Sequence, residues 1–136
     1  MRPRRVLIVD DNRLIRRLLE LVLEEAGYAP VPAESGETAL ELAREDPPDA
    51  CVVDQEMPGM KGADLLRALK LSRDPRLAEV PAIGVSAYPE AEAELRAAGA
   101  SAFLRKPIAE EVLLAALAVA LHQHRLDEIS SAPGAA

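Results

Sequence analysis

The chain has no tryptophan, one phenylalanine and two tyrosines, so aromatics make up 2% of its 136 residues. Its core must therefore be assembled from Leu, Ala, Val and Ile, which suits helices packed on a Val/Ile sheet. With a single cysteine, Cys51, no internal disulfide can form. That thiol lies in the apolar run ACVVD, where a small side chain is expected to pack rather than react. Apolar stretches fall well short of a bilayer span, and Met1–Arg5 leads directly into a strand pattern rather than a leader segment, so a soluble cytoplasmic protein is expected with no membrane partner. A net charge of -7 leaves no basic stripe for a phosphate backbone, which argues against direct nucleic-acid contact and favours protein partners. Two histidines, His122 and His124, stand two apart on an expected helix and so point in different directions, unlike a helical metal pair.

What is present is an alternation. Short β-rich runs at 4–10 (RRVLIVD), 28–32 (YAPVP), 50–54 (ACVVD), 80–87 (VPAIGVSA) and 101–104 (SAFL) are separated by segments of helical periodicity. Helices are expected over about 12–26, closed by Gly27, over 35–44 with Ser35 as N-cap, and over 62–71, 89–98 and 109–124. The fourth of these has only Leu95 as a large apolar anchor and should be the most weakly packed. The length suits one domain with one core, spanning residues 1–125, with 126–136 (LDEISSAPGAA) as a frayed tail.

Five β/α units predict a parallel sheet. Proline cannot donate to a ladder, so Pro30 and Pro32 place the second run at an edge. With right-handed crossovers the expected order is 2-1-3-4-5, a doubly wound α/β sheet with five helices in the flavodoxin-like arrangement. The winding reverses between strands 1 and 3, and ligands of open α/β sheets bind at such a reversal. Three of the eight aspartates, Asp10, Asp11 and Asp54, end their strands there. Singly, Asp11 could cap a helix and Asp54 could start a turn. Together they repel one another unless a divalent cation such as Mg²⁺ or Mn²⁺ neutralises them.

Ser86 and Lys106 arrive at the same sheet edge from strands 4 and 5. A hydroxyl and an ammonium facing a metal-bound carboxylate are what the oxygens of a phosphoryl group require. Thirteen of the sixteen cations are arginine, so a lysine in that loop departs from the chain's habit. Its compact charge suits one oxygen in a small cleft.

These residues, Asp10-Asp11, Asp54 followed by Met57-Pro58-Gly59, Ser86-Ala87 and Lys106-Pro107, resemble the receiver domain of two-component response regulators, in order and spacing, across about residues 4–124. The resemblance implies a phosphorylated signalling switch rather than an enzyme. Asp54 would accept a phosphoryl group from the phosphohistidine of a sensor kinase or phosphotransfer protein. Asp11 would bind the metal directly, Asp10 through water, and the Glu56 backbone carbonyl would complete the protein ligands. Ser86 and Lys106 would hold phosphoryl oxygens, and a cis peptide before Pro107 would aim Lys106 inward. A carboxylate nucleophile is already deprotonated near neutral pH, so alignment and charge neutralisation suffice without a catalytic histidine.

The resemblance further implies that Ser86 couples to the aromatic residue three before the lysine, Phe103, with Tyr88 as a second reporter. The helix after Ser86, with strands 4 and 5, would be the moving face presented to a downstream protein target, and phosphorylation-driven homodimer formation through strands 4 and 5 is left open. Glu56 is expected near the mouth of the site, tuning phosphate lifetime with a sign the sequence does not set. Two alternatives are a receiver belonging to a longer regulator or hybrid kinase, and an aspartyl-phosphate-forming phosphatase. The latter wants D-x-D after strand 1, where this chain reads Asp10-Asp11-Asn12.

Overall fold

Alternate residues of the central strands point to opposite faces of one sheet, and each face carries its own apolar cluster. The computed structural model describes residues 2–131. Strands β1 (Arg5–Val9), β2 (Ala29–Ala33), β3 (Ala50–Asp54), β4 (Ala82–Ser86) and β5 (Ala102–Arg105) are all parallel, in the order β2-β1-β3-β4-β5. This is the expected topology, with the proline-bearing β2 at an edge.

Helices α1 (Arg13–Glu25), α2 (Gly36–Glu45), α3 (Gly62–Lys70), α4 (Pro75–Ala78), α5 (Ala91–Ala97) and α6 (Glu110–Ser131) cover the two faces. Val6, Ile8, Val52, Ile83 and Val85 pack under Leu19 and Leu23 of α1 and Leu113, Leu117 and Leu121 of α6. The residues between them, Leu7, Val9, Cys51, Val53 and Ala82, pack under Ala39 of α2, Leu65, Leu66 and Leu69 of α3, Leu77 of α4 and Leu95 of α5. Strands buried on both faces read as continuous apolar runs, as VLIV and ACVV do.

Helix starts follow local chemistry. The Asn12 side chain accepts from the Ile15 N–H, and Ser35 Oγ accepts from the Thr38 N–H at 3.1 Å, each satisfying a donor that the first turn leaves free. Gly27 takes φ +94° just after α1, the left-handed conformation that favours glycine.

There are six helices rather than five. The additional one, α4, is a single turn with Asp74 as N-cap and Pro75 at its start, carrying one buried leucine, Leu77. Too short for an apolar period, it is set by Asp74 accepting from the Arg76 N–H at 3.0 Å. The last helix also runs past His124 to Ser131, so residues 126–131 are helical rather than frayed, while 132–136 lie outside the described residues. Once α6 is nucleated on the sheet, each further residue adds one bond at low cost. Side-chain pairs one turn apart support the extension: His124 to Glu128 at 3.2 Å and Gln123 to Asp127 at 3.1 Å.

Helix α5 is short and begins at Ala91, two residues later than its periodicity suggests. Leu95 is fully buried, and a Cβ at Gly84 of β4 would approach its Cδ1 to 2.8 Å, so the glycine is what lets α5 lie this close to the sheet. Replacing Leu95 by alanine is expected to reduce the unfolding free energy by about 2–4 kcal/mol, from lost burial and the cavity left behind. Urea titration of both proteins measures it. A loss under about 1 kcal/mol would mean that α5 is held by something else.

Candidate functional site

Because β1 and β3 are neighbours in register, with Val9 opposite Val53, the residues that follow converge at one sheet edge. Asp10 and Asp54 are almost fully buried, at 2% and 3% exposure, while Asp11 faces solvent. One carboxylate oxygen from each of the three lies within 4.8 Å of the others, an arrangement able to hold a metal ion. Asp10 is fixed on several sides. Its Oδ1 accepts the Asn12 N–H at 2.8 Å, its carbonyl accepts the Arg16 guanidinium at 2.7 Å, and its Oδ2 accepts the Lys106 ammonium at 3.1 Å.

Lys106 follows β5, and its peptide bond to Pro107 is cis. Its ammonium lies 3.2 Å from Asp54 Oδ1, an ion-pair distance. Asp54 Oδ1 is left as a buried oxygen without a hydrogen-bond partner. Such an atom is costly in a folded protein unless something electropositive completes it. Burial pushes the Asp54 carboxyl up to about 6, the charge of Asp10 pushes the same way, Lys106 opposes them, and Glu56 adds a smaller upward push. Burial works to lower the Lys106 pKa, but its hydrogen bond to Asp10 and the charges of Asp54 and Asp10 outweigh that and raise it. The cluster is thus short of positive charge, and hard oxygen donors deficient in charge suit a divalent cation.

Ser86 ends β4 and is fully buried, but its hydroxyl is already engaged. Its Oγ lies 2.8 and 2.7 Å from the two carboxylate oxygens of Glu56 and accepts the Tyr88 N–H at 2.9 Å. The loop bearing Glu56 is tied down by its neighbour Gln55, 5% exposed, whose Oε1 accepts the Ala63 N–H at 2.8 Å. Gly62 permits that approach, since a Cβ there would collide with the Asp54 carbonyl.

The chain matches the model of the response regulator receiver domain over residues 6–118. It belongs to that family. Among curated relatives it is 37% identical over 120 residues to the sensory/regulatory protein RpfC of Xanthomonas campestris pv. campestris, covering 87% of this chain but 16% of that protein's length. It is 35% identical over 108 residues to the polar-differentiation response regulator DivK of Brucella anthropi, covering 78% of this chain and 86% of the relative. Among solved structures, a putative response regulator from Chloroflexus aurantiacus superposes with TM-score 0.83 at 32% identity, covering 88% and 98% of the two chains. The chemotaxis protein CheY4 of Vibrio cholerae does so with TM-score 0.80 at 31% identity, covering 87% and 98%. Membership supports a phosphorylation-switch role in two-component signalling for this domain. Among the described residues no helix is long and apolar enough to cross a membrane.

Of the residues singled out in the sequence, Asp10, Asp11, Asp54 and Lys106 come together directly. Ser86 reaches the same edge, with its hydroxyl on Glu56. Phe103 is half-buried on β5, packed against the cluster under α2, α3 and α5, and Tyr88 is 55% exposed. Sequence reasoning missed the side-chain bond from Ser86 to Glu56 and the props Asn12, Arg16 and Gln55. Only Asn12 had a local signal, its place at a helix start.

The raised Asp54 pKa sets a stability profile. The folded state holds this proton more tightly than the unfolded chain, so ionisation costs stability as pH rises from about 4 through about 6. In metal-free buffer, Asp54→Asn should be more stable than the parent by about 1–2 kcal/mol at pH 8, a figure discounted for partial solvent access at the mouth, and by little below pH 4. Urea midpoints at the two pH values check this. Equal midpoints at pH 8 would contradict it.

Proposed function

We propose that Asp54 is the phosphoacceptor, that Asp10, Asp11, Asp54 and the backbone carbonyl of Glu56 hold Mg²⁺ or Mn²⁺, and that Ser86 and Lys106 receive the phosphoryl oxygens. The observation that carries this is the buried, unpartnered Asp54 Oδ1 beside the Lys106 ammonium in a cluster deficient in positive charge. A bound divalent cation would supply charge neutralisation for the incoming group. The chain's own residues do the rest. An Asp54 carboxylate oxygen forms a bond to phosphorus while the phosphorus–nitrogen bond of a donor phosphohistidine breaks, and the bonding pair stays on the imidazole nitrogen, which then takes a proton from solvent. Lys106, already within ion-pair reach of Asp54, needs little movement to meet an oxygen of the transferred group. No general base is required, since the nucleophile is a carboxylate.

The donor is proposed to be a cytoplasmic sensor histidine kinase or phosphotransfer protein. Charge arriving at Asp54 draws Ser86 and Lys106 toward it, with Phe103 and Tyr88 following. The readout face is proposed to be β4, α5 and β5, where α5 hangs on Leu95, and its reader is a downstream protein. A second reading, a receiver within a longer regulator or hybrid kinase, is favoured by one observation: the chain spans 16% of the length of the RpfC proteins it matches.

Incubation with acetyl phosphate and Mg²⁺, followed by intact-mass measurement, should show one phosphoryl adduct that is absent in Asp54→Ala and without added metal. An adduct persisting in Asp54→Ala would remove Asp54 from the role. With beryllofluoride and Mg²⁺, the largest amide shifts should fall within residues 86–106. Saturation of the site with that region unmoved would defeat the proposed readout face.

A further inference from the structure

We propose that the Glu56 side chain is a positioning residue that occupies the Ser86 hydroxyl hydrogen in the unphosphorylated protein and competes for it with a phosphoryl oxygen. The inference rests on Asp54 being the phosphoacceptor and assigns to Glu56 a direction of effect.

A serine hydroxyl has one hydrogen to give. Here it faces both carboxylate oxygens of Glu56, at 2.8 and 2.7 Å, a hydrogen bond strengthened by the acceptor's charge. The lone-pair side of the same oxygen takes the Tyr88 N–H at 2.9 Å. Ser86 has 0% exposure, so no bulk water can take over its hydrogen while the acceptors change. A phosphoryl oxygen on Asp54 gains this donor only when Glu56 releases it. The Tyr88 N–H bonds the same Oγ, so Tyr88 is carried along when the hydroxyl turns from Glu56 toward Asp54.

Once released, Glu56 is a carboxylate beside a doubly charged group, and repulsion drives it outward. Room exists on that side: a cleft of about 540 Å³ lined by Glu56, Met57, Tyr88 and Glu94. The resting state therefore has both phosphoryl-holding groups engaged elsewhere, Ser86 on Glu56 and Lys106 on Asp10. Lys106 is also within ion-pair distance of Asp54, at 3.2 Å. Glu56 is the group whose bond must break, so it sets how strongly the chain resists the phosphorylated form.

The test separates the hydrogen bond from the mere charge. Beryllofluoride affinity in the presence of Mg²⁺ is measured for the parent, Glu56→Gln and Glu56→Ala, each with Ser86 and with Ser86→Ala. Glutamine is neutral yet still accepts from Ser86, whereas alanine is neutral and cannot. With Ser86 present, Glu56→Ala should bind the mimic about tenfold more tightly than the parent, and Glu56→Gln should fall between them. With Ser86→Ala, the glutamine and alanine variants should coincide. Equal affinities of these two variants with Ser86 intact would show that charge alone acts and would overturn the proposal, as would a glutamine–alanine difference that survives Ser86→Ala. Glu56 is exposed in a loop, so the variants fold, which urea titration verifies. If the parent binds no mimic, the phosphoacceptor reading itself falls. Parent binding that is lost in Asp54→Ala, without coupling between Glu56 and Ser86, overturns this inference alone.

Discussion

Like charge gathered at one end of a sheet is the constraint from which the rest of the site follows. Carboxylates of Asp10, Asp11 and Asp54 meet within a few ångströms, and two of the three are out of water. A single ammonium, that of Lys106, reaches into them from the loop after β5. Such a group of anions raises its own free energy, and only a fold with stability to spare elsewhere can hold it. The two apolar clusters flanking the sheet provide that reserve. The backbone of the strand ends provides the rigidity that keeps the carboxylates from swinging apart. A site short of positive charge is also a site that responds strongly when charge arrives, which is the property a phosphorylation switch needs.

The fold was legible because its signals are local. Continuous apolar runs in VLIV and ACVV, two prolines in YAPVP, and Ser35 and Gly27 at helix ends each act within a few residues, and together they admit one sheet order. The errors were local too. Helix α4 is one turn long and depends on Asp74 and Pro75 rather than on apolar spacing, and the outer end of α6 continues without an inner stripe because extending an existing helix costs little. The acidic cluster and Lys106 could be read from strand ends and topology. The bond between Ser86 and Glu56 could not, since it joins side chains 30 positions apart whose rotamers no motif records.

The face proposed to carry the message is built differently from the rest. Helices α1 and α6 are tied down by several leucines each, but α5 has seven residues and one large buried side chain, seated over a glycine. Ser86 ends the strand that leads into α5, and Tyr88 lies between them with its N–H on the Ser86 oxygen. An event at the hydroxyl thus has four residues of backbone to cross to the element with the least packing to resist it. Short, lightly packed elements are where local opening is cheapest.

One consequence follows from the lone thiol. Cys51 is the second residue of β3, fully enclosed, and burial pushes its pKa up to about 12. At neutral pH it stays protonated and out of reach of oxidants and alkylating agents. No other thiol competes with it, since the chain has no other cysteine. Covalent capture of that sulfur therefore counts departures of β3 from the sheet, giving the protein a built-in clock for global opening.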